Sequence, residues 1–233
     1  RDVLPKSLKE KKLIEYIKSN IVNTEDIMFI SSVKNYNIDN FLNKIEDDKV
    51  KRLYIVGFTN SGKSTFINHL LTSVCKNPTI TTSSIPNTTA SYITIKLNPR
   101  LVIVDTPGFI DGNAIYNFVD YSKVIKLYPK KELKVKTFQV RNGYAIVVND
   151  ILRIENISDK SNSFSFYMND KLRYEKVKSK NDKLTILPNV TYDIKGSSDI
   201  LINGLGFIRI TKPGSIKVYT LDTKLVSIRK SMI

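Results

Sequence analysis

One cysteine, Cys75, is present among the 233 residues. Within this chain that excludes an intramolecular disulfide and a thiolate zinc cluster, and it fits a reducing compartment. Long apolar runs are missing too: none approaches the roughly 18 residues that a membrane-spanning helix needs. No secretory signal, internal repeat or low-complexity tract is visible. The first residue is Arg1 and not methionine, so the expectation is a chain trimmed ahead of it. Histidine is reduced to His69, with no carboxylate or second histidine nearby in sequence, which speaks against a metal role. Cys75, just after it, is expected to pack.

What the chain has in excess is positive charge, +15 in all. Residues 1–129 carry 17 basic and 12 acidic side chains, and residues 130–233 carry 20 and 10. A basic second half suits nucleic acid, anionic lipid or an acidic partner, and a lysine-rich solvated surface fits the same counts. The apolar content of 41% is ordinary, so a sizeable core needs no disulfide support. The length accommodates two domains.

The densest chemical signal is Gly57-Phe58-Thr59-Asn60-Ser61-Gly62-Lys63-Ser64. It satisfies the G-x-x-x-x-G-K-[ST] phosphate-binding pattern, and its flanks agree. Leu53–Val56 reads as a buried strand leading in, and Thr65–Leu71 as a helix leading out, with Phe66, Ile67, Leu70 and Leu71 on one face. Gly57 and Gly62 let the backbone curl so that the N–H groups from Thr59 to Thr65 face phosphate oxygens at the positive end of the helix. Lys63 neutralises the terminal phosphates, and the Ser64 hydroxyl can ligate Mg²⁺.

Two further segments belong with this loop. Leu101–Val104 is a buried-strand run ending in Asp105-Thr106-Pro107-Gly108. An acidic residue at that strand tip can hold the Mg²⁺ shell, and Gly108 can offer its backbone N–H to a γ-phosphate. Between them lies the polar loop Ser84–Thr89, where Thr88 or Thr89 can complete the Mg²⁺ shell while the γ-phosphate is present. In this order the pieces read as a GTPase and not as a generic ATPase. Phe109 follows Gly108, where many GTPases place a water-orienting glutamine, so charge stabilisation must come from elsewhere. Asn60 offers one route, a K⁺ ion between the β- and γ-phosphates. A turn-favouring asparagine without any ion fits the same position.

No Asn-Lys-x-Asp guanine motif follows Asp105. The missing half of the domain is expected in front instead. Ser7-Leu8-Lys9-Glu10 reads as a capping box opening a helix with Leu13, Ile14 and Ile17 on its apolar face. Ile27–Ile30 reads as a short buried strand ending in Ser31-Ser32, and a helix with Ile38, Phe41, Leu42 and Ile45 on one face follows. That order is the one expected of a circularly permuted domain.

The phosphate loop, Pro86-Asn87-Thr88-Thr89, Asp105-Thr106-Pro107-Gly108 and the C-terminal Gly204–Ile233 together resemble the circularly permuted GTPases of the YqeH type, which include the mitochondrial and plastid nitric-oxide-associated proteins. The resemblance extends over essentially the whole chain, more loosely between residues 130 and 200. It implies that Asp2, in Asp2-Val3-Leu4-Pro5-Lys6-Ser7, pairs with the guanine base, and that Ser31 and Ser32 lie at guanine O6. The family's four-cysteine zinc module is absent here, as are the asparagine and lysine that would precede Arg1, and Asn87 replaces a usual glycine. The resemblance further implies hydrolysis stimulated by K⁺ and a role in small ribosomal subunit assembly. The expected setting is a bacterial cytoplasm or, alternatively, a mitochondrial or plastid matrix.

From about Lys134 the pattern changes to short alternating runs such as Tyr144–Val148, Ser163–Tyr167 and Phe207–Ile210, separated by Asn142-Gly143, Lys195-Gly196 and Pro213-Gly214. The expected architecture is therefore an α/β P-loop GTPase domain, circularly permuted, over residues 1–129. A basic, mostly antiparallel β-rich domain follows over 130–233. The lysine-rich stretch from Lys171 to Lys183, with Tyr174 inside it, suits ribosomal RNA, and a solvated loop fits it equally. Three functions stay in view: a Mg²⁺- and K⁺-dependent GTPase switch, a nucleotide-gated RNA-binding module with negligible hydrolysis, and a degenerate scaffold. The intact Lys63, Ser64 and Asp105 argue against the last.

Overall fold

The computed structural model describes residues 2–20, 26–59, 61–74, 80–81, 92–179 and 183–232. The helices described are α1 (Glu10–Asn20), α2 (Ile38–Asp47), α3 (Lys63–Val74) and α4 (Tyr121–Leu127). None is long and apolar enough to cross a membrane. The chain divides into two compact units. One holds Asp26–Asp111 with Asp2, and the other holds Val3–Glu25 with Gly112–Ile233.

The first unit is built on a sheet of β1 (Arg52–Ile55), β4 (Val102–Asp105), β3 (Ile93–Lys96) and β2 (Ile80–Thr81), in that spatial order. β1 and β4 run parallel, and the other neighbours are antiparallel. Alternate strand residues (Leu53, Ile55, Ile93, Ile95, Ile103) meet Ile38 and Ile45 of α2 and Ile67, Leu70 and Leu71 of α3 in one core. Phe41 and Phe66 join the two helices edge to face, with ring centroids 5.2 Å apart.

Two expectations fail in this unit. The Ile27–Ile30 run forms no strand. The backbone N–H and carbonyl of Ser31 are both bonded to Tyr36, at 3.1 and 3.0 Å, and the Asn37 amide takes the Phe29 carbonyl at 2.9 Å. Those bonds close a tight loop, with Asn35 and Asn37 at positive φ, that turns the chain straight into α2. Consequently β1 has one strand partner among the described residues, and the Leu53–Val56 run is not buried throughout: Tyr54 is 56% and Val56, just past β1, 57% exposed.

The second unit is a sandwich of two five-stranded antiparallel sheets. One runs β10 (Asn189–Ile194), β13 (Gly214–Thr220), β7 (Leu152–Asn156), β6 (Tyr144–Val148), β9 (Tyr174–Lys178). The other runs β14 (Val226–Lys230), β11 (Ser198–Ile202), β12 (Gly206–Ile210), β8 (Asn162–Met168), β5 (Lys136–Val140). Period-two alternation sends Ile146, Ile154, Ile216 and Val218 from one sheet, and Phe164, Phe166, Ile200 and Ile208 from the other, into a single core.

The expected domain boundary after residue 129 differs from this grouping. Ile115 and Leu127 are buried in the sandwich core. Asn169, itself buried, donates from Nδ2 to the carbonyls of Lys126 and Tyr128 at 2.8 Å, capping the C-terminal end of α4. The N-terminal segment joins the same unit: Leu133 N donates to Val3 O and Lys6 N to Glu132, both at 3.0 Å. The Ser7–Glu10 capping box is not formed. Leu8 N bonds Pro5 O at 3.0 Å, so residues 5–8 make their own turn and α1 begins at Glu10. Of its expected face, Leu13 is buried and Ile14 and Ile17 are half-buried.

Candidate nucleotide site

β1 ends at Ile55 and α3 begins at Lys63, so the phosphate loop spans the strand-to-helix turn that its sequence predicts. Gly62 sits at φ +95°, a conformation that a side chain would oppose. The N–H groups of Lys63, Ser64 and Thr65 fall in the first turn of α3, where a helix supplies no carbonyl partner. The Lys63 ammonium donates to the carbonyls of Gly57 at 2.9 Å and Phe58 at 2.8 Å.

The Asp105–Gly108 segment is held against this loop by backbone bonds that continue the β1–β4 pairing. Thr106 donates to Ile55 O from N (3.3 Å) and Oγ1 (2.9 Å), Phe109 N donates to Gly57 O (3.0 Å), and Thr59 N donates to Phe109 O (2.9 Å). Gly108 is pressed in closely. A Cβ there would lie 3.0 Å from Lys63 Nζ and from Thr59 Cα. The rings of Phe58 and Phe109 meet edge to face at 6.4 Å, and each is 57% exposed. Neither the Thr106 anchor nor the Phe58 contact was singled out from sequence. Phe109 was flagged for what it replaces, but nothing local signals its partner.

Among the described residues no three His, Cys, Asp or Glu side chains cluster as a metal cage. The donor set nevertheless fits Mg²⁺. Asp105 Oδ1 is buried without a hydrogen-bond partner, and Ser64 presents an exposed hydroxyl at the start of α3. Asn60, Thr88 and Thr89 lie outside the described residues, as does Cys75.

At the other expected contact point the structure brings Asp2 and Ser31 together. The buried Ser31 hydroxyl donates to Asp2 Oδ1 and accepts from Lys34 N at 3.0 Å. Ser32 beside it is half-buried. His69 on α3 bonds the Asn35 side chain at 2.8 Å, tying the same loop to the helix that follows the phosphate loop.

In the second unit Tyr174 is not a free stacking surface. Its ring stacks on Phe138 at 5.8 Å and meets Phe166 at 5.2 Å, while Lys136 lies over it. Burial first, and then the Asp170 charge, raise its hydroxyl pKa far above the ordinary value, so it stays protonated.

A phosphate loop whose lysine, strand-tip carboxylate and approaching glycine are locked into one backbone ladder defines a P-loop nucleotide-binding unit. Residues 52–181 match the family described as 50S ribosome-binding GTPase. Over 169 residues the chain is 34% identical to the uncharacterized protein YqeH of Bacillus subtilis (strain 168), which covers 70% of this chain and 46% of that protein. The chain belongs to this GTPase family and is of the YqeH type. It spans about half the length of the curated relative that it matches.

Proposed function

We propose that the chain binds GTP at the Gly57–Ser64 loop, hydrolyses it to GDP and phosphate, and uses the change as a switch in small ribosomal subunit assembly. The observation behind this reading is the close packing of Gly108 against Lys63 and Thr59, with the orphaned Asp105 oxygen in the same segment. A γ-phosphate entering there meets the Gly108 N–H and exchanges its oxygens for the two carbonyls that now hold Lys63. Ser64 and Asp105, with Thr89, would hold Mg²⁺, which when bound neutralises charge on the β- and γ-phosphates. Asn60 is assigned a K⁺ ion in the place of an arginine finger.

The guanine contact is assigned to Asp2, Ser31 and Ser32, which makes the domain circularly permuted. Supporting this is the Ser31–Asp2 hydrogen bond, which joins the two segments assigned to the base. The basic second unit is the proposed RNA or ribosome contact. The setting is a bacterial cytoplasm or an organelle matrix.

Phe109 favours a second reading, a nucleotide-gated RNA-binding module with negligible hydrolysis, because a phenyl ring cannot orient a water. Steady-state GTP hydrolysis in KCl and in NaCl of equal strength, with ATP as control, separates the two. Turnover that prefers GTP and is faster in K⁺ supports the switch, and loss of the K⁺ response in Asn60→Ala supports the cation assignment. Tight GTP binding without turnover would establish the second reading. Equal use of ATP would remove the guanine role of Asp2 and, with it, the permutation. Lys63→Ala is expected to abolish nucleotide binding at the loop.

A further inference from the structure

We propose that the second unit carries its own site for a nucleoside phosphate. The site is a cleft of about 520 Å³ walled by α4, the outer face of β6 and β9, and the turn at Lys183–Ile186. Five cations line it: Lys123 and Lys126 from α4, Lys171 and Arg173 from the loop before β9, and Lys183. Two carboxylates, Asp150 and Glu175, share the cleft, leaving a surplus of positive charge.

None of the five makes an ion pair or side-chain hydrogen bond among the described residues. Some other cations of the same unit are engaged. Arg153 pairs with Glu155, Arg229 pairs with Asp199, and Lys176 donates to Gln139 O. Unpaired like charges drawn to one concavity repel each other, and a bound polyanion relieves that repulsion.

The remaining wall is apolar. Val147 points away from the sandwich core and lines the cleft beside Val177 and Leu184, offering a surface for a base or sugar. The cleft's volume lies in the small-ligand range of about 300–1,000 Å³. Cations drawn from separate segments converge on this one cavity. Those two features favour a mononucleotide over an RNA strand.

This inference goes beyond the GTP-switch reading, since the cleft lies wholly within the second unit and uses none of the phosphate-loop residues. Isothermal titration of the full chain carrying Lys63→Ala, with GMP, inorganic phosphate and a short RNA oligonucleotide as probes, tests it. GMP is expected to bind, to weaken at least tenfold when Lys126→Ala and Arg173→Ala are added, and to weaken likewise with Lys183→Glu alone. Arg173→Lys should retain most of the affinity. In the otherwise unaltered chain, the Lys126→Ala/Arg173→Ala pair should leave GTP hydrolysis unchanged, so failure of the cleft and failure of the GTPase reading show up in different assays. Absence of GMP binding, or affinity indifferent to these substitutions, would overturn the site. Inorganic phosphate binding as tightly as GMP would overturn the role of the apolar wall. Binding of the oligonucleotide alone would reassign the cleft to RNA.

Discussion

The two units spend their sequence in opposite ways. In the nucleotide unit the chemistry sits on an exposed rim: Phe58 and Phe109 are each 57% exposed and Ile110 76%, above a core of two helices on one sheet face. In the sandwich both sheets close on one core, and even charged groups are buried. Arg153 has no exposed surface, and Glu155 and Asp199 are also buried. Among the described residues, Ser31 is the buried polar side chain of the nucleotide unit, while Arg153, Glu155, Asn156, Asn162, Asn169, Asp199 and Thr220 all belong to the sandwich. A rim that must exchange carbonyl for phosphate partners has to leave its backbone accessible. A scaffold can satisfy its polar groups internally and stay fixed.

That contrast can be broken most forcefully at Phe166, which has no exposed surface and touches both Phe138 and Tyr174. Phe166→Ala should cost the sandwich about 3–5 kcal/mol. Denaturant unfolding followed by near-ultraviolet circular dichroism would measure this. A nucleotide affinity that fell in parallel would show that the units do not respond separately.

Next comes the buried ion pair. Burial pushes the Glu155 carboxyl upward most strongly, but the nearby Ser179 side chain, the hydrogen bond and charge of the Arg153 guanidinium and the Tyr219 hydroxyl outweigh it, so its pKa lies below the ordinary 4.5. A depressed carboxylate contributes stability above its unfolded pKa and loses it as pH falls through the folded value. Sandwich stability should therefore hold from neutrality to about pH 4.5 and decline below it. Glu155→Gln should flatten that decline while costing about 3 kcal/mol at pH 7, because it removes the carboxylate charge that the buried Arg153 guanidinium is bonded to.

On the rim the effects are smaller in stability and larger in binding. Gly108→Ala places a Cβ 3.0 Å from Thr59 Cα, a backbone atom that cannot step aside. We expect about 1–2 kcal/mol of destabilisation and at least a tenfold loss of GTP affinity, roughly 1.4 kcal/mol, measured by titration. Unchanged affinity would mean that the segment has no part in the nucleotide site. The smallest effect is expected at Asn169→Ala. It uncaps α4 and should lower sandwich stability by about 1–2 kcal/mol, and hydrogen exchange at the end of α4 would report it.

Much of this was legible in the residues. β6 occupies the expected Tyr144–Val148, and the strand, loop and helix of the phosphate motif stand where the pattern put them. Period and turn chemistry are local properties, and they survive folding. Long-range facts were not legible. Leu127 looks the same in sequence whichever core it fills, so its grouping with the sandwich is not legible there. β7 carries Arg153 between Leu152 and Ile154, a position at which an arginine is ordinarily solvated. The Tyr219 ring and the Ser179 carbonyl cover it instead, and both are distant in sequence. Ile27–Ile30 failed for a nearby reason that hydropathy does not encode: Asn37 competes for the Phe29 carbonyl that a strand would need.

The sandwich is split in sequence, and that sets an order of events during synthesis. Tyr16 of α1 lies under the guanidinium of Arg229 on β14, near the opposite end of the chain. On a ribosome α1 emerges before the nucleotide unit and meets Arg229 only after the sandwich strands have followed, while the nucleotide unit between them can close first. The nascent chain is thus open to chaperone capture or misassociation at α1 until β14 has been made.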